Sequence, residues 1–322
     1  MTNEPKPVPL LCMQQPSQKI ISLLPAATEI ICALGLEYNL VGRSHECDYP
    51  ESIRHLPVCC EASFGNELSS ADIDRKVKEI LTEALSVYTV NKDVIRQLNP
   101  DVVITQAQCE VCAVSLKDVE DALANLLDKD ARIISLQPGK LDDIFADIRH
   151  VADALGASQA GDELLENLNE RVDIIRHKLK FIADKPTVAC IEWLEPMMIS
   201  GNWVPELVEI AGGKPVLAES GKHSPYINWE ALLVTDPDIM VVMPCGFGIE
   251  RTLKEMNILL AQPGFADLKA VKNNRLYIAD GNHYFNRSGP RIVNSLEILA
   301  EIINPKQFIF GYEGQGWMKF GM

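Results

Sequence analysis

Along residues 158–184, SQAGDELLENLNERVDIIRHKLKFIAD, the apolar side chains Leu164, Leu165, Leu168, Val172, Ile175, Leu179 and Ile182 return at i, i+3, i+4 spacing. That period predicts one long helix with a single buried face. Acidic Asp162, Glu163 and Glu166 stand early in it and Arg176, Lys178 and Lys180 late, matching the helix dipole, while Ser158 is placed to cap it and Pro186 forbids its continuation. At about 1.5 Å per residue such a helix reaches roughly 40 Å, the width of a domain. On either side the pattern changes to short apolar runs alternating with helical periods, as in strand–helix–strand units. Both sides hold the same phrase, VIRQLNPDVVITQ around Pro100 and ALLVTDPDIMVVMPC around Pro237. The fold read from this pattern is α/β: two Rossmann-like lobes, residues 18–157 and 185–305, joined by one backbone helix over 158–184, with a ligand cleft between the lobes. Residues 306–322 form a tail with no clear period, and the Pro-rich residues 1–17 a loose arm.

In the first lobe, strands are expected at 19–25, 40–44, 101–106 and 131–138, and helices at 29–34 with Thr28 as cap, at 71–98, from Ser115 onward, and at 141–155. In the second, strands are expected at 187–193 and 275–280, helices at 204–211 and 291–303, and the helix to Pro-Asp to strand unit at 228–245. Gly35, Gly156 and Gly212 stand where helices stop.

Charge narrows the partners. Thirty basic against forty-five acidic residues leave a net charge of −15, which repels phosphate backbones and anionic surfaces, so nucleic acid is excluded as a partner. No stretch resembles a membrane span, and membrane insertion is not expected. The first residues lack a basic region followed by a long apolar core, so a cytoplasmic location is expected. Nine cysteines, an odd number, suit free thiols, a metal site or redox chemistry better than a secreted disulfide framework.

In open α/β sheets the loops at the carboxyl ends of strands line the ligand crevice. Here these are PAATE, SHECDYP, TQAQCEVC, EWLEPMM, PCGFG and DGNHYFNR. Tyr49, Trp193, Phe247, Tyr284 and Phe285 in and beside them would give a cleft flat apolar walls suited to a large planar ligand, unless they simply pack in the core.

The run IISLLPAATEIICALGLEYNLVGRSHECDYP resembles the opening of the vitamin B12-binding periplasmic proteins, part of the wider helical-backbone family of binding proteins for iron chelates and haem. SGNWVPELVEIAGG and NRSGPRIVNSLEILAEII resemble its second lobe. The resemblance implies that corrinoid contacts come from the loop holding His45 and from His283, Tyr284, Phe285, Asn286 and Arg287 before the last helix. It also implies one acid per lobe for docking on a membrane permease, at Asp93 and Glu209. Asp93 is shorter than the family's usual glutamate and no export signal is seen, two departures that count against docking. Resemblance and departures together imply an intracellular binding protein for cobalamin, another corrinoid or a related metal chelate, acting as carrier, salvage or delivery factor rather than as an enzyme.

Sulfur adds an alternative. His45 and Cys47 on one loop with Cys109 and Cys112 on the next make an H-x-C and C-x-x-C set that could close a tetrahedral zinc site, if the loops are neighbours; packed thiols or a redox pair are the other readings. A metal- or thiol-dependent enzyme using Cys109 and Cys112 on a small molecule in the cleft is therefore the second hypothesis. No complete dinucleotide loop, phosphate loop or nucleophile elbow occurs. Glu192 and Glu195 could form an acid and base pair or a polar rim. His45 and His283, one on each wall, could also offer an axial nitrogen to a chelated metal.

Overall fold

The computed structural model describes residues 18–62, 68–82, 88–106 and 131–321. The first lobe is a six-stranded sheet of β1 (Ile20–Ser22), β2 (Leu40–Ser44), β3 (Val58–Ala62), β4 (Tyr88–Val90), β5 (Val102–Gln106) and β6 (Arg132–Leu136), ordered β4-β3-β2-β1-β5-β6. All neighbours are parallel except β3 and β4. The second lobe holds β7 (Thr187–Trp193), β8 (Met198–Ile199), β9 (Lys214–Pro215), β10 (Ile239–Val242), β11 (Leu276–Ala279) and β12 (Trp317–Lys319). Their order is β12-β11-β10-β7-β8, with β9 beside β7. Central strands such as β5 and β10 are apolar runs because helices cover both faces of a parallel sheet.

The repeated phrase folds twice into one device. Asn91 accepts a hydrogen bond from the Val94 amide at 3.1 Å and Asn228 one from the Ala231 amide at 2.9 Å, capping helices Lys92–Leu98 and Trp229–Thr235. Both helices end on a left-handed residue, Asn99 at φ 45° and Asp236 at φ 43°, and enter a central strand past a proline.

The backbone helix spans Ser158–Leu179 and buries Leu165, Leu168, Val172, Ile175 and Leu179, the face its spacing predicts. It stops five residues before 184. Phe181 is 86% exposed, so no apolar surface holds a further turn, and the Ile182 amide closes a turn on the Leu179 carbonyl instead. Toward the lobes the helix is continuous with a single core running from Ile20 and Ile30 in the first to Val241 and Ile303 in the second. Arg171 fastens it to the last helix, Ile292–Ile303, through two bonds to Glu297 at 2.9 and 2.7 Å.

Three expectations change. Residues 71–98 are not one helix: Ser70–Thr82 and Lys92–Leu98 are separated by β4, whose Val90 pairs with Cys60 of β3. Pairing on the open edge of β3 outweighs local helical periodicity there. Thr28 lies inside a helix that starts at Pro25, and its hydroxyl donates to Ser22 Oγ at 2.8 Å. The described residues 306–321 are no separate tail, since β12 pairs antiparallel with β11. Buried Glu301 accepts bonds from the amides of Phe310, Gly311 and Tyr312 and from the Trp317 indole at 2.7 Å. The helix expected from Ser115 lies outside the described residues.

Candidate functional site

Two loops at carboxyl ends of strands face each other across the lobes, residues 45–49 after β2 and 280–287 after β11. The second is shaped by Asp280, which accepts from the His283 amide and from His283 Nδ1, each at 2.8 Å, and so fixes both the backbone turn and the ring. Gly281 is required at its base: a Cβ there would stand 2.1 Å from the Pro244 carbonyl oxygen. The Asn282 amide donates to the Phe247 carbonyl at 3.1 Å, which joins the 245–248 loop to the same wall.

Across the gap, Arg287 donates to Asp48 at 2.6 Å and to Glu29 at 3.2 Å, while its Nε donates to the Asn282 carbonyl at 2.7 Å. Glu29 also receives Arg291 twice, at 3.0 and 2.6 Å. The Arg291 guanidinium lies 3.9 Å over the Tyr49 ring and 5.6 Å from Tyr284, so two aromatics flank it. Burial would raise the Asp48 carboxyl, but the bond and charge of Arg287, with His283 and Asn282 beside it, hold it below the usual carboxylate range. His283 Nε2 is 3.7 Å from Asp48 Oδ2.

A second seam runs beside the first. The Trp193 indole donates to the Ser70 carbonyl at 3.2 Å, and the Ser70 amide donates to both Glu255 oxygens at 3.2 Å. Arg251 binds Glu255 and the Leu68 carbonyl and covers the Phe247 ring at 4.7 Å, and Trp193 and Phe247 pack with centroids 5.2 Å apart.

Several sequence-predicted residues meet here. Tyr49 is 46% exposed, the His283 side chain 40% and that of His45 22%; Trp193 and Tyr284 are half-buried. His45 Nδ1 faces the Cys60 carbonyl at 3.1 Å, and its Nε2 lies 4.0 Å from Glu46 Oε1. The Asn286 side-chain Nδ2 donates back to the Gly281 carbonyl at 2.8 Å, beside its backbone amide at 3.3 Å, and closes the turn. Two residues do not belong to the wall. Phe285 is 1% exposed, and its carbonyl accepts from the Trp203 indole at 3.0 Å, so it is core. Arg287 is 4% exposed and held by Glu29 and Asp48, so it joins the lobes rather than touching a ligand.

Half of the thiol set can be placed. Cys47 is fully buried with its sulfur 3.1 Å from Thr28 Oγ1, and burial pushes its thiol up to about 12. Cys109 and Cys112 lie outside the described residues, and among the described residues no three His, Cys, Asp or Glu side chains are arranged to hold a metal ion. Glu192 does not pair with Glu195: it is turned to the Ser224 hydroxyl at 2.9 Å, burial raising its carboxyl, while Glu195 is exposed. Asp93, with its side chain 84% exposed and 3.4 Å from Arg96, and Glu209 both face solvent. Sequence reasoning missed Glu29, Asp48, Asp280 and Arg291. Each sits in a motif already singled out, but no spacing rule links residues from opposite ends of the chain.

A family model described as Periplasmic binding protein matches residues 20–282. A vitamin B12-binding protein of Vibrio cholerae is 25% identical over 301 residues, 92% of this chain and 93% of that one. An uncharacterized ABC transporter substrate-binding lipoprotein of Bacillus subtilis is 23% identical over 297 residues, 90% of this chain and 81% of that one. Among solved structures, a periplasmic heme-binding protein from Pseudomonas aeruginosa superposes with a TM-score of 0.68 at 18% identity, covering 90% of this chain and 94% of that one.

Proposed function

From the premise that this chain belongs to the periplasmic binding protein family, we propose that it binds a corrinoid or a related metal chelate between its lobes and hands it to a partner, as the substrate-binding component of an ABC-type transporter. The observation that carries this reading is the likeness to the Vibrio cholerae vitamin B12-binding protein, which runs over nearly the full length of both chains. The geometry supports it. Exposed Tyr49 and half-buried Trp193 offer aromatic surface from opposite lobes, and His45 and His283 stand on the two strand-end loops.

Docking belongs to the proposal, because binding proteins of this type normally deliver to a permease. Exposed Asp93 and Glu209, one on each lobe, are the positions we assign to it. The short Asp93 is no obstacle in itself. A cytoplasmic location is incompatible with delivery from outside, so fractionating cells and asking whether the protein sits in the cytoplasm or at the envelope separates an internal carrier from a transport subunit.

The ligand is tested by titrating purified protein with cyanocobalamin and with haemin under ultraviolet-visible detection. We expect saturation at one chelate per chain with one of them. A protein that takes up neither overturns the reading.

A further inference from the structure

The outer face of the helix Ser158–Leu179 is built like half of an interface. Ile174 is 46% exposed and His177 stands one turn on along the same side of the helix, while Phe181, 86% exposed, lies in the turn just past the helix end at Leu179. A shallow open trough runs along the same side, lined by Glu166, Asn169, Glu170, Asp173, Ile174 and Lys178. Charge is divided about Ile174. On the helix Glu166, Glu170 and Asp173 precede it and Arg176 and Lys178 follow, all exposed, on a chain of net charge −15.

Such a face matches itself only when turned end for end. We propose that a second copy of this chain packs against it antiparallel, about a twofold axis passing Ile174. At about 1.5 Å per residue, Glu170 and Lys178 lie roughly 6 Å to either side of Ile174. In the antiparallel pair each Glu170 therefore meets Lys178 of the other copy. Phe181, exposed in the turn beyond Lys178, is the apolar side chain that the acidic half of the other copy's trough would cover. This is the self-complementary arrangement that a twofold demands.

Charge also selects the occupant. An anionic lipid surface would attract the lysine end but repel Glu166, Glu170 and Asp173 on the same side. Two whole chains repel through their net charge, yet at physiological salt the screening length is about 8 Å, so distant charges fade while the facing pairs remain. The face is one helix wide, flanked by exposed Ile309 and by the turn in which Phe308 meets Lys178. That size belongs to small interfaces, and weak, concentration-dependent association is expected.

Sedimentation velocity of the full chain at physiological salt, from about 1 to 300 μM, tests this. We expect a shift from a 35.7 kDa monomer to a species of twice that mass. Phe181→Glu should abolish it with an unchanged far-ultraviolet dichroism spectrum. Glu170→Lys and Lys178→Glu should each weaken association at least tenfold, and the double exchange should restore it. The proposal is overturned by a chain that stays monomeric throughout, by a dimer indifferent to Phe181→Glu, by failure of the double exchange to restore association, or by flotation with anionic vesicles without self-association.

Discussion

The Arg287 guanidinium of the second lobe lies 2.6 Å from the Asp48 carboxylate of the first, and the same nitrogen reaches Glu29 at 3.2 Å. Both Arg287 and Glu29 are almost wholly enclosed. The pair therefore holds the lobes together at the mouth of the candidate site, as the backbone helix does behind it. Glu29 keeps Arg291 if Arg287 is removed, but Asp48 loses its main partner. Arg287→Ala should lower the unfolding free energy by about 1–3 kcal/mol, measured by urea denaturation, because the half-buried Asp48 carboxylate loses a charged hydrogen bond and the lobes lose their direct link. Arg287→Lys should recover only part of this, since an ammonium cannot reproduce the guanidinium fork. A loss within experimental error would show that the lobes do not depend on this contact.

Because the lobes share one core and a rigid helix, ligand should move them by small angles only. X-ray scattering with and without bound chelate should give radii of gyration that agree within about a tenth of the roughly 20 Å expected for a chain of this length. A larger contraction would contradict the strut.

His283 is aimed by Asp280 and stands near the first lobe's loop. If either its nitrogen or that of His45 binds the chelated metal, the visible bands of the complex should shift, and the shift should vanish in His283→Ala or His45→Ala. Asp280→Asn, which weakens the orientation of the ring, should reduce the shift for His283 without removing the ligand. Unchanged spectra with weakened affinity would make both histidines contacts only.

Asp147, in the helix Leu141–Ala154, is raised to about 6 because burial penalises its charge; the Gln137 amide opposes that rise and Asp143 adds to it. A folded-state value above the unfolded one, about 3.9, means the folded chain holds this proton more tightly. Stability from this group is thus fully present below about pH 4 and lost as pH rises through about 6. Asp147→Asn should therefore be neutral at pH 4 and stabilising by about 1–2 kcal/mol at pH 7, read from denaturation midpoints across that range. The Asp48 carboxyl, held low, acts in the opposite sense. Its contribution is present above the unfolded value and lost as pH falls, so Asp48→Asn should flatten the acid limb of the same curve.

Glu301 should prove the anchor of the C-terminal strand. Glu301→Ala leaves the Trp317 indole and the amides of residues 310–312 without their acceptor. A cost of about 2–4 kcal/mol and faster proteolysis after residue 304 are expected. Unaltered proteolysis would place the strength of this segment in the strand pairing alone.

Much of the architecture is local and can be read in the order of the residues. The spacing of Leu165, Leu168, Val172, Ile175 and Leu179 encodes the buried face of the backbone helix without reference to anything else in the chain. Asn91 and Asn228 carry their caps in their own side chains, and the apolar runs at β5 and β10 declare central strands. The strand-end loops holding His45, Tyr49, Trp193 and His283 are found by the rule that sites form at carboxyl ends of strands. Other features depend on distance through space and came only with folding. Glu29 and Arg287 are 258 positions apart, and nothing in their neighbourhoods announces that two lobes will press them together. The same packing took Phe285 into the core and Arg287 out of reach of a ligand, and gave β4 and β12 their places at sheet edges. Periodicity says which face of an element is apolar; which other element covers that face, and which charges are enclosed as it does so, is settled only when the lobes close on one another.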